Sequence, residues 1–313
     1  MTGMDMTRDS HVPVLLSEAV DALAVRRGGR YVDGTYGRGG HSREIARRGG
    51  EVLAIDRDDD AVAAGVAACD AGVKVVKGDH GDLRRIANEN GWGEVDGVLL
   101  DLGVSSPQLD DAGRGFSFQG EGPLDMRMDR SGGVTAADIV NGADAARLEE
   151  IFRTLGEEPQ ARRIARAIVE ARSAGRRFET TAGLSEFVAR VAGRHGAKHP
   201  ATHVFQALRM AVNDELGELE RALEGGIGLL RPGGRFAVIT FESLSDRIVK
   251  RFFAEHVGRM VSLQAGGERW EGARPRARAV TRRSVAARED EVRRNPRSRS
   301  ARLRAIEVER EGC

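Results

Sequence analysis

At 313 residues, with 40% hydrophobic residues, 31% charged residues and a net charge of +1, the chain has the size and composition of a globular protein with about two domains. No run reaches the roughly 18 to 20 apolar residues that a membrane-spanning helix needs, which excludes an integral membrane protein of that type. The two cysteines, Cys69 and Cys313, exclude a disulfide framework and a zinc-ligand spacing.

The first residues, MTGMDMTRDSH, mix both charges and contain no apolar segment, unlike a secretory signal. We therefore expect a cytoplasmic protein.

Short runs rich in Val, Ile and Leu recur along the chain, with helical segments between them. They are RYVDGT (30–35), EVLAID (51–56), VKVVKG (73–78), VDGVLLD (95–101) and RFAVITF (235–241). Nearly continuous apolar runs are typical of parallel strands that are buried on both faces. The rhythm predicts an α/β fold with a mostly parallel sheet, whose ligands bind at the carboxyl ends of the strands.

The turn after the first strand, VDGTYGRGGHS (32–42), is unusually rich in glycine. We expect Gly37, Gly39 and Gly40 to let the backbone approach a ligand, and Asp56 to accept both hydroxyls of a ribose. The spacing is G-x-G-G and Asp33 precedes it, so a pyrophosphate would be repelled. The sulfonium and ammonium of S-adenosylmethionine would be attracted.

Two further strand ends carry candidate site residues. His80, in KGDHGDL (77–83), either borders an adenine ring or is a solvated loop residue. Asp101 ends the fourth strand beside the expected methyl group, and is either catalytic or structural.

After Asp101 the strand rhythm stops for about 130 residues. Residues 102–133 form an irregular segment of the length that is usually functional or disordered. Helices are predicted over 144–155, 158–173 and 181–194, followed by one long amphipathic helix from Val204 to Leu223. "RPGG" (231–234) is expected to turn the chain into the last strand.

Residues 269–304 contain 13 arginines against four acidic residues, a local charge of +9 that leaves about −8 for the rest of the chain. One interpretation is a solvated, partly disordered tail. The other is a nucleic-acid surface, because a guanidinium can bond two phosphate oxygens at once.

Several longer blocks carry a resemblance that covers nearly the whole chain. They are HVPVLLSEAV, VDGTYGRGGHS, LLDLGVSSPQLDDAGRGFSFQGEGPLDMRMD, GEEPQARRIARAI, HPATHVFQALRMAVNDEL, SLSDRIVKRF and NPRSRSARLRAIE. With these blocks the chain resembles the RsmH (formerly MraW) family of small-subunit ribosomal RNA cytidine N4-methyltransferases.

The resemblance implies a class I methyltransferase (Rossmann-like) core with an inserted α-helical domain. We expect the core at 1–106 and 207–313, including the basic segment 269–304, and the insert for RNA at 107–206. It also implies S-adenosyl-L-methionine as methyl donor and a cytidine of the decoding region of 16S ribosomal RNA as target. The implied cofactor positions are Gly39, Gly40, His41, Asp56, His80, Asp101 and Gln108; Asp33 is added from its charge alone.

The chain departs from the family pattern at three positions. His80 stands where the family often has Phe, which keeps a flat ring but weakens the apolar wall around adenine. Glu242 and Ser245 stand where the family usually has His and Glu. That block is therefore left out of the catalytic assignment.

An exocyclic amine needs no covalent nucleophile, but it needs acceptors that hold its N–H groups and orient its lone pair. Asp101, Ser105 and Ser106 are the candidate acceptors. Phe116 or Phe118 either stacks on the unstacked base or anchors its loop in a core. The candidates for phosphate binding are Arg297, Arg299 and Arg302.

The βαβ unit alone would also suit a dinucleotide-dependent oxidoreductase, and the whole fold would suit a non-catalytic RNA-binding factor of ribosome assembly. The expected partner is small-subunit ribosomal RNA or the 30S particle, without a membrane. The protein is expected to be a monomer or a homodimer, and no metal site is expected.

Overall fold

The computed structural model describes residues 13–193, 199–263 and 268–309. The chain divides into two compact units. Met1–Gly103 and Glu218–Cys313 form the sheet unit, and Val104–Gly217 form the helical unit. Within the described ranges, no helix has the length and hydropathy of a membrane-spanning segment.

The described residues contain ten strands and thirteen α-helices. The strands are β1 (Arg30–Asp33), β2 (Glu51–Asp56), β3 (Val73–Lys77), β4 (Val95–Asp101), β5 (Leu230–Thr240), β6 (Arg259–Ser262), β7 (Glu268–Glu271), β8 (Ala277–Ala279), β9 (Val285–Ala286) and β10 (Arg302–Val308). The helices are α1 (Leu16–Leu23), α2 (Gly40–Arg47), α3 (Asp59–Ala68), α4 (Leu83–Glu89), α5 (Ser106–Asp110), α6 (Ala136–Gly142), α7 (Ala145–Thr154), α8 (Ala161–Ser173), α9 (Thr181–Ala192), α10 (Thr202–Val212), α11 (Glu215–Ile227), α12 (Ser243–Val257) and α13 (Glu289–Arg294).

The large sheet has the order β3-β2-β1-β4-β5-β10-β8, and β9 also pairs with β10. The first five strands are parallel, and β10 is antiparallel to β5. Chain order reverses between β1 and β4, which register Asp33 against Leu99. Ligands of open α/β sheets bind beside such a reversal, at the carboxyl ends of the strands.

Alternate residues of the central strands pack on opposite faces of the sheet, because successive side chains of a strand point to opposite sides. Val32 and Leu100 belong to one apolar cluster, with residues of α4 and α12. Tyr31 and Leu99 belong to another, with residues of α1. The continuous apolar runs of the sequence are therefore explained by burial on both sides.

The helical unit has its own core. Phe152, Ile164, Phe178 and Leu208 are buried in one cluster that draws on α6 to α10. Part of the irregular segment 102–133 packs into the same cluster through residues such as Leu124 and Met126. In the structure this segment is ordered.

The long helix expected from Val204 to Leu223 is wrong, because the chain breaks between α10 and α11. Buried Asn213 donates from Nδ2 to the carbonyls of Met126 and Arg209 at 2.8 Å, and its Oδ1 accepts from the Met128 N–H. Asp214 then adopts the left-handed region with φ 48°. The amphipathic pattern continues across a break that one polar side chain stabilises.

Two other expectations are corrected near the C-terminus. "RPGG" lies inside β5, where the register with β4 shifts between Val95 and Gly97, rather than in a turn. The tail is not disordered over its described residues, because β10 lies between β5 and β8 with Leu303, Ala305 and Ile306 buried.

The limits of the units also differ from the expected boundaries at 106/107 and 206/207. The sheet unit ends after Gly103 and resumes at Glu218. The reason is packing: α10 buries Phe205, Ala207 and Leu208 in the core of the helical unit.

Candidate active site

Three carboxylates stand at the carboxyl ends of adjacent strands. Asp33 ends β1, Asp56 ends β2 and Asp101 ends β4. They are close enough that the charge of Asp33 raises the pKa of both Asp56 and Asp101, in addition to burial. This edge of the sheet is therefore strongly anionic and suits a cation.

Asp33 is almost fully buried, with 1% of its surface exposed. Burial raises its pKa, while hydrogen bonds from Ser42 and Thr35 and the nearby His41 act in the opposite direction. Ser42 Oγ donates to Oδ2 at 2.6 Å, and the Thr35 N–H donates to Oδ1 at 3.1 Å. Asp33 thus supplies charge and fixes the turn, and direct contact with a cofactor stays a prediction.

The three glycines of the turn differ in how much space surrounds them. A Cβ at Gly39, where φ is +71°, would lie 2.5 Å from the ring of Tyr36, and a Cβ at Gly40 would lie 2.0 Å from Pro13. Gly37 has φ +54°, and the nearest described atom to a Cβ there is 3.9 Å away. Internal packing therefore accounts for Gly39 and Gly40, and Gly37 is the one of the three with space above its backbone.

Asp56 accepts one backbone hydrogen bond on each carboxylate oxygen. The Gly37 N–H donates to Oδ2 at 2.7 Å and the Asp58 N–H to Oδ1 at 2.9 Å. Burial raises the pKa of Asp56 to about 6, and these hydrogen bonds oppose the shift. Each oxygen keeps a second lone pair, so the side chain can still accept the two hydroxyls of a ribose.

The two carboxylate oxygens of Asp101 have different surroundings. Its Oδ1 is buried and makes no hydrogen bond with any described residue. Its Oδ2 is 3.7 Å from Nδ1 of His41, and its backbone N–H donates to Thr35 Oγ1 at 2.6 Å. Burial raises the pKa of Asp101 to about 6, and His41 acts to lower it.

His80 begins a short 3-10 helix, His80–Asp82. Its Nε2 is buried and lacks a hydrogen-bond partner within the described part of the chain. Burial lowers the pKa of His80 to about 4, so the ring is neutral at pH 7. The next residue, Gly81, donates its N–H to Glu218 Oε2 at 2.9 Å. A neutral ring with an unused nitrogen fits the wall of an adenine pocket, and so these residues fit S-adenosylmethionine.

Ser105, Ser106 and Gln108 lie in the helical unit, at the start of α5. Ser105 is the N-cap residue, and its N–H donates to Gln108 Oε1 at 2.9 Å in a reciprocal capping box. Both side chains thus have a structural role in the helix, and their catalytic and cofactor roles stay predictions.

The two aromatic candidates differ in exposure. Phe116 is 7% exposed and belongs to the core of the helical unit, which favours the anchoring interpretation. Phe118 is partly exposed, with its ring centroid 4.8 Å from His199 and 5.0 Å from Phe205. Base stacking therefore stays a prediction that suits Phe118 better.

The three arginine candidates lie in and after a short 3-10 helix, Pro296–Ser300. Asn295 caps it by accepting the Arg297 N–H, and the side chains of Arg297 and Arg299 are exposed. Arg302 is half-buried, and its guanidinium donates to the carbonyl of Ala301 at 2.7 Å. Phosphate binding stays a prediction, and it fits Arg297 and Arg299 better than Arg302.

Glu242 and Ser245 lie at the start of α12. Glu242 is the N-cap residue of α12, and Ser245 is buried in its first turn. The neighbouring Asp246 accepts both arms of the Arg304 guanidinium at 2.8 Å.

Sequence reasoning missed Thr35, Ser42 and Tyr36. Thr35 joins the ends of β1 and β4, because its hydroxyl contacts Asp33 and accepts the Asp101 N–H. Part of this was visible in the sequence, because an Asp side chain in a turn commonly accepts the backbone N–H two residues later, as Asp33 does from Thr35.

The strand order, the antiparallel β10 beside β5, and the acids at the ends of β1, β2 and β4 define a class I methyltransferase. The chain matches the model of the MraW methylase family over residues 8–309. It therefore belongs to the MraW methylase family, and it is an S-adenosylmethionine-dependent methyltransferase. This membership excludes the oxidoreductase interpretation.

Curated relatives agree over nearly the full length. A ribosomal RNA small subunit methyltransferase H from Methylobacterium nodulans is 53% identical, over 98% of this chain and 91% of its own. A ribosomal RNA small subunit methyltransferase H from Thermomicrobium roseum is 50% identical, over 97% of this chain and 95% of its own. Among solved structures, TrmN from Thermus thermophilus is similar at a TM-score of 0.43 and 15% identity, over 97% of this chain and 51% of its own.

Proposed function

We propose that the protein methylates the exocyclic N4 amine of a cytidine in the decoding region of small-subunit (16S) ribosomal RNA. The observation that carries the proposal is the full-length family match, together with an acceptor, Asp101, at the sheet edge. The relatives' names specify small-subunit ribosomal RNA, and the resemblance specifies the amine.

The cofactor, when bound, supplies an electrophilic methyl group on a cationic sulfonium. Asp56 is suited to hold its ribose and His80 to border its adenine. The anionic edge formed by Asp33, Asp56 and Asp101 favours the positive charge. Gly37, with open space above its backbone, is suited to close approach.

Asp101 accepts a hydrogen bond from the cytosine amine and takes its proton. The cytosine amine is a weak nucleophile because its lone pair is delocalised into the ring, and positive charge grows on the nitrogen as it reacts. The buried Oδ1 accepts one amine N–H, which aligns the lone pair and stabilises that charge. The nitrogen keeps the electron pair of the broken N–H bond, and the proton passes to the Asp101 carboxylate and then to water.

The helical unit and the basic C-terminal segment are the proposed binding surfaces for the RNA substrate. A cytidine must leave its stack to be methylated, which favours an exposed strand or loop of the ribosomal RNA. Ser105, Ser106 and Phe118 are the proposed contacts to the base, and Arg297 and Arg299 to phosphates. Either free RNA or the 30S particle, in the cytoplasm, is the proposed partner.

The test is methyl transfer from labelled S-adenosylmethionine to small-subunit particles, followed by nucleoside analysis by mass spectrometry. We expect N4-methylcytidine with the wild-type protein and a loss of at least a hundredfold with Asp101→Asn, because the amide lacks the negative charge. Glu94→Gln, at an exposed position before β4, is the matched control. RNA binding without any methylated nucleoside would instead favour the non-catalytic assembly factor.

A further inference from the structure

Three arginines lie close together on the exposed side of α8. The opposite side of the helix is buried in the core of the helical unit through Ala161, Ile164, Ala165 and Ile168. Arg162, Arg163 and Arg166 are exposed to solvent. Residues three and four positions apart are neighbours on a helix, so Arg166 lies next to both of the others. We call these three residues the α8 arginine patch.

The patch has no acidic partner within the described part of the chain. Arg162 and Arg166 form no ion pair there, and Arg163 donates to the neutral Gln160 Oε1 at 3.1 Å. Glu170 lies one turn beyond Arg166 on the same exposed side and forms no ion pair with it. Three positive charges are therefore left uncompensated on a helix whose backbone is held in place by its buried side.

Two other exposed arginines of the helical unit contrast with the patch, because each has an acidic partner. Arg147 Nη1 is 2.7 Å from Glu150 Oε2, and Arg177 Nε is 3.7 Å from Glu179 Oε1. The absence of such pairs is thus a property of the exposed side of α8 and not of every arginine in the unit.

The patch also opposes the local electrostatics of α8. It begins in the first turn, where the helix dipole is positive, and Arg162 and Arg166 place like charges four residues apart. Both effects destabilise the helix. An anionic ligand would offset them, whereas a merely solvated surface gains nothing from this placement.

Given the proposed function, in which small-subunit ribosomal RNA is the substrate, we propose that the α8 arginine patch binds the phosphate backbone of that RNA. A guanidinium donates two parallel N–H bonds to phosphate oxygens, and three of them on one helix face suit a row of phosphates. Contacts to phosphate fix the position of the RNA and do not read its bases. The patch thus supplies affinity and orientation, and recognition of the cytidine belongs to other residues.

Equilibrium titration of the full chain with purified 16S ribosomal RNA at several salt concentrations tests the patch. In Arg162→Gln with Arg166→Gln we expect binding at low salt to weaken about tenfold or more. The slope of log affinity against log salt should fall by about 1.4 to 1.8, because each lost phosphate contact accounts for about 0.7 to 0.9. Glutamine has nearly the helix propensity of arginine, so α8 should stay folded.

The matched control is Arg147→Gln with Arg177→Gln. It removes the same charge from the same unit, but from arginines that have acidic partners. We expect its salt slope to stay near the wild-type value. A slope that is unchanged in the α8 variant, or lowered equally in both variants, would overturn the proposal.

Lysine substitution and thermal unfolding separate binding from a structural role. Arg162→Lys with Arg166→Lys keeps both charges, so we expect most of the salt slope to return. The glutamine variant should unfold at the wild-type temperature or slightly above it, because it removes repulsion within α8. A lower unfolding temperature, together with a slope that lysine does not restore, would mean that the arginines only stabilise the helix and would contradict phosphate binding.

Binding is measured without S-adenosylmethionine, so its outcome is separate from that of the methylation assay. Weaker binding of the glutamine variant to 30S particles, with unchanged binding to free ribosomal RNA, would mean that the patch contacts a ribosomal protein and would overturn the assignment to RNA. A salt slope that depends on the patch, without any N4-methylcytidine, would contradict the proposed reaction and support the RNA surface.

Discussion

At the scale of single residues, the site concentrates buried charge. Asp33, Asp56 and Asp101 lie at neighbouring strand ends, and burial raises the pKa of Asp56 and Asp101 to about 6. A carboxylate whose pKa is raised on folding stabilises the protein less as pH rises, because the folded state holds its proton more tightly than the unfolded chain. Stability is therefore lost as the pH rises from about 4, the ordinary pKa of an aspartate, to about 6, the pKa in the folded protein.

This leads to a stability prediction for Asp101→Asn. Raising the pKa of Asp101 to about 6 corresponds to about 3 kcal/mol of folding free energy, of which we expect about 1 to 2 kcal/mol because the side chain is 24% exposed and near His41. The variant should therefore unfold at a higher temperature than the wild type at pH 8, while at pH 4 the two should agree.

Thermal unfolding at both pH values checks this, with the exposed Glu94→Gln as control. A gain of the same size at pH 4 and pH 8 would contradict the assignment to buried charge. The expected gain in stability accompanies the loss of methylation expected for the same variant, as is common where a site holds strained electrostatics.

At the scale of secondary-structure elements, the apolar patterns of the sequence predicted the parallel strands and most helices. β2 and β4 coincide with their predicted limits, because residues buried on both faces leave a continuous apolar run. The break after α10 was not predictable, because Asn213 and Asp214 fall on polar positions of an unbroken amphipathic pattern. What ends the helix is a set of hydrogen bonds to residues 85 to 87 positions earlier.

Asn213→Ala is expected to lower the free energy of unfolding by about 3 kcal/mol. The substitution leaves the Met128 N–H and the Met126 carbonyl without their side-chain partner in a buried place, and each unsatisfied group costs about 1 to 3 kcal/mol. Denaturant unfolding measures the effect. Asn88→Ala, at an exposed position of α4, is the control, and an equal loss in both would show that Asn213 does not hold the break.

At the scale of the whole molecule, positive charge is concentrated in the C-terminal segment and negative charge in the rest of the chain. Because of this concentration of arginine, the last strand was not predicted. β10 begins within the last residues of the arginine-rich segment, and in it Arg302 and Arg304 alternate with the buried Leu303 and Ala305. Composition suggested a tail, whereas period-two alternation is the strand signal. For the site, the sequence located Asp56, His80 and Asp101 at strand ends, but the side-chain partners of Asp33 depend on distances that no pattern contains.

The basic segment gives a prediction for RNA binding. Arg297→Gln with Arg299→Gln should weaken binding to small-subunit ribosomal RNA and lower the salt slope by about 0.7 to 0.9 for each phosphate that the variant no longer neutralises. Titrations at several salt concentrations measure this. Arg278→Gln is the control, because its guanidinium is paired with Glu307 at 2.8 Å, and an unchanged slope in the double variant would remove the assignment.

The place of β10 in the sheet has a consequence for synthesis of the protein. Residues up to Thr240 supply five parallel strands, yet the neighbour that covers the β5 edge, from Arg302 to Val308, is translated about 60 residues later. A nascent chain therefore exposes an uncovered strand edge until this last strand leaves the ribosome. Premature termination between Thr240 and Arg302 should yield aggregating product.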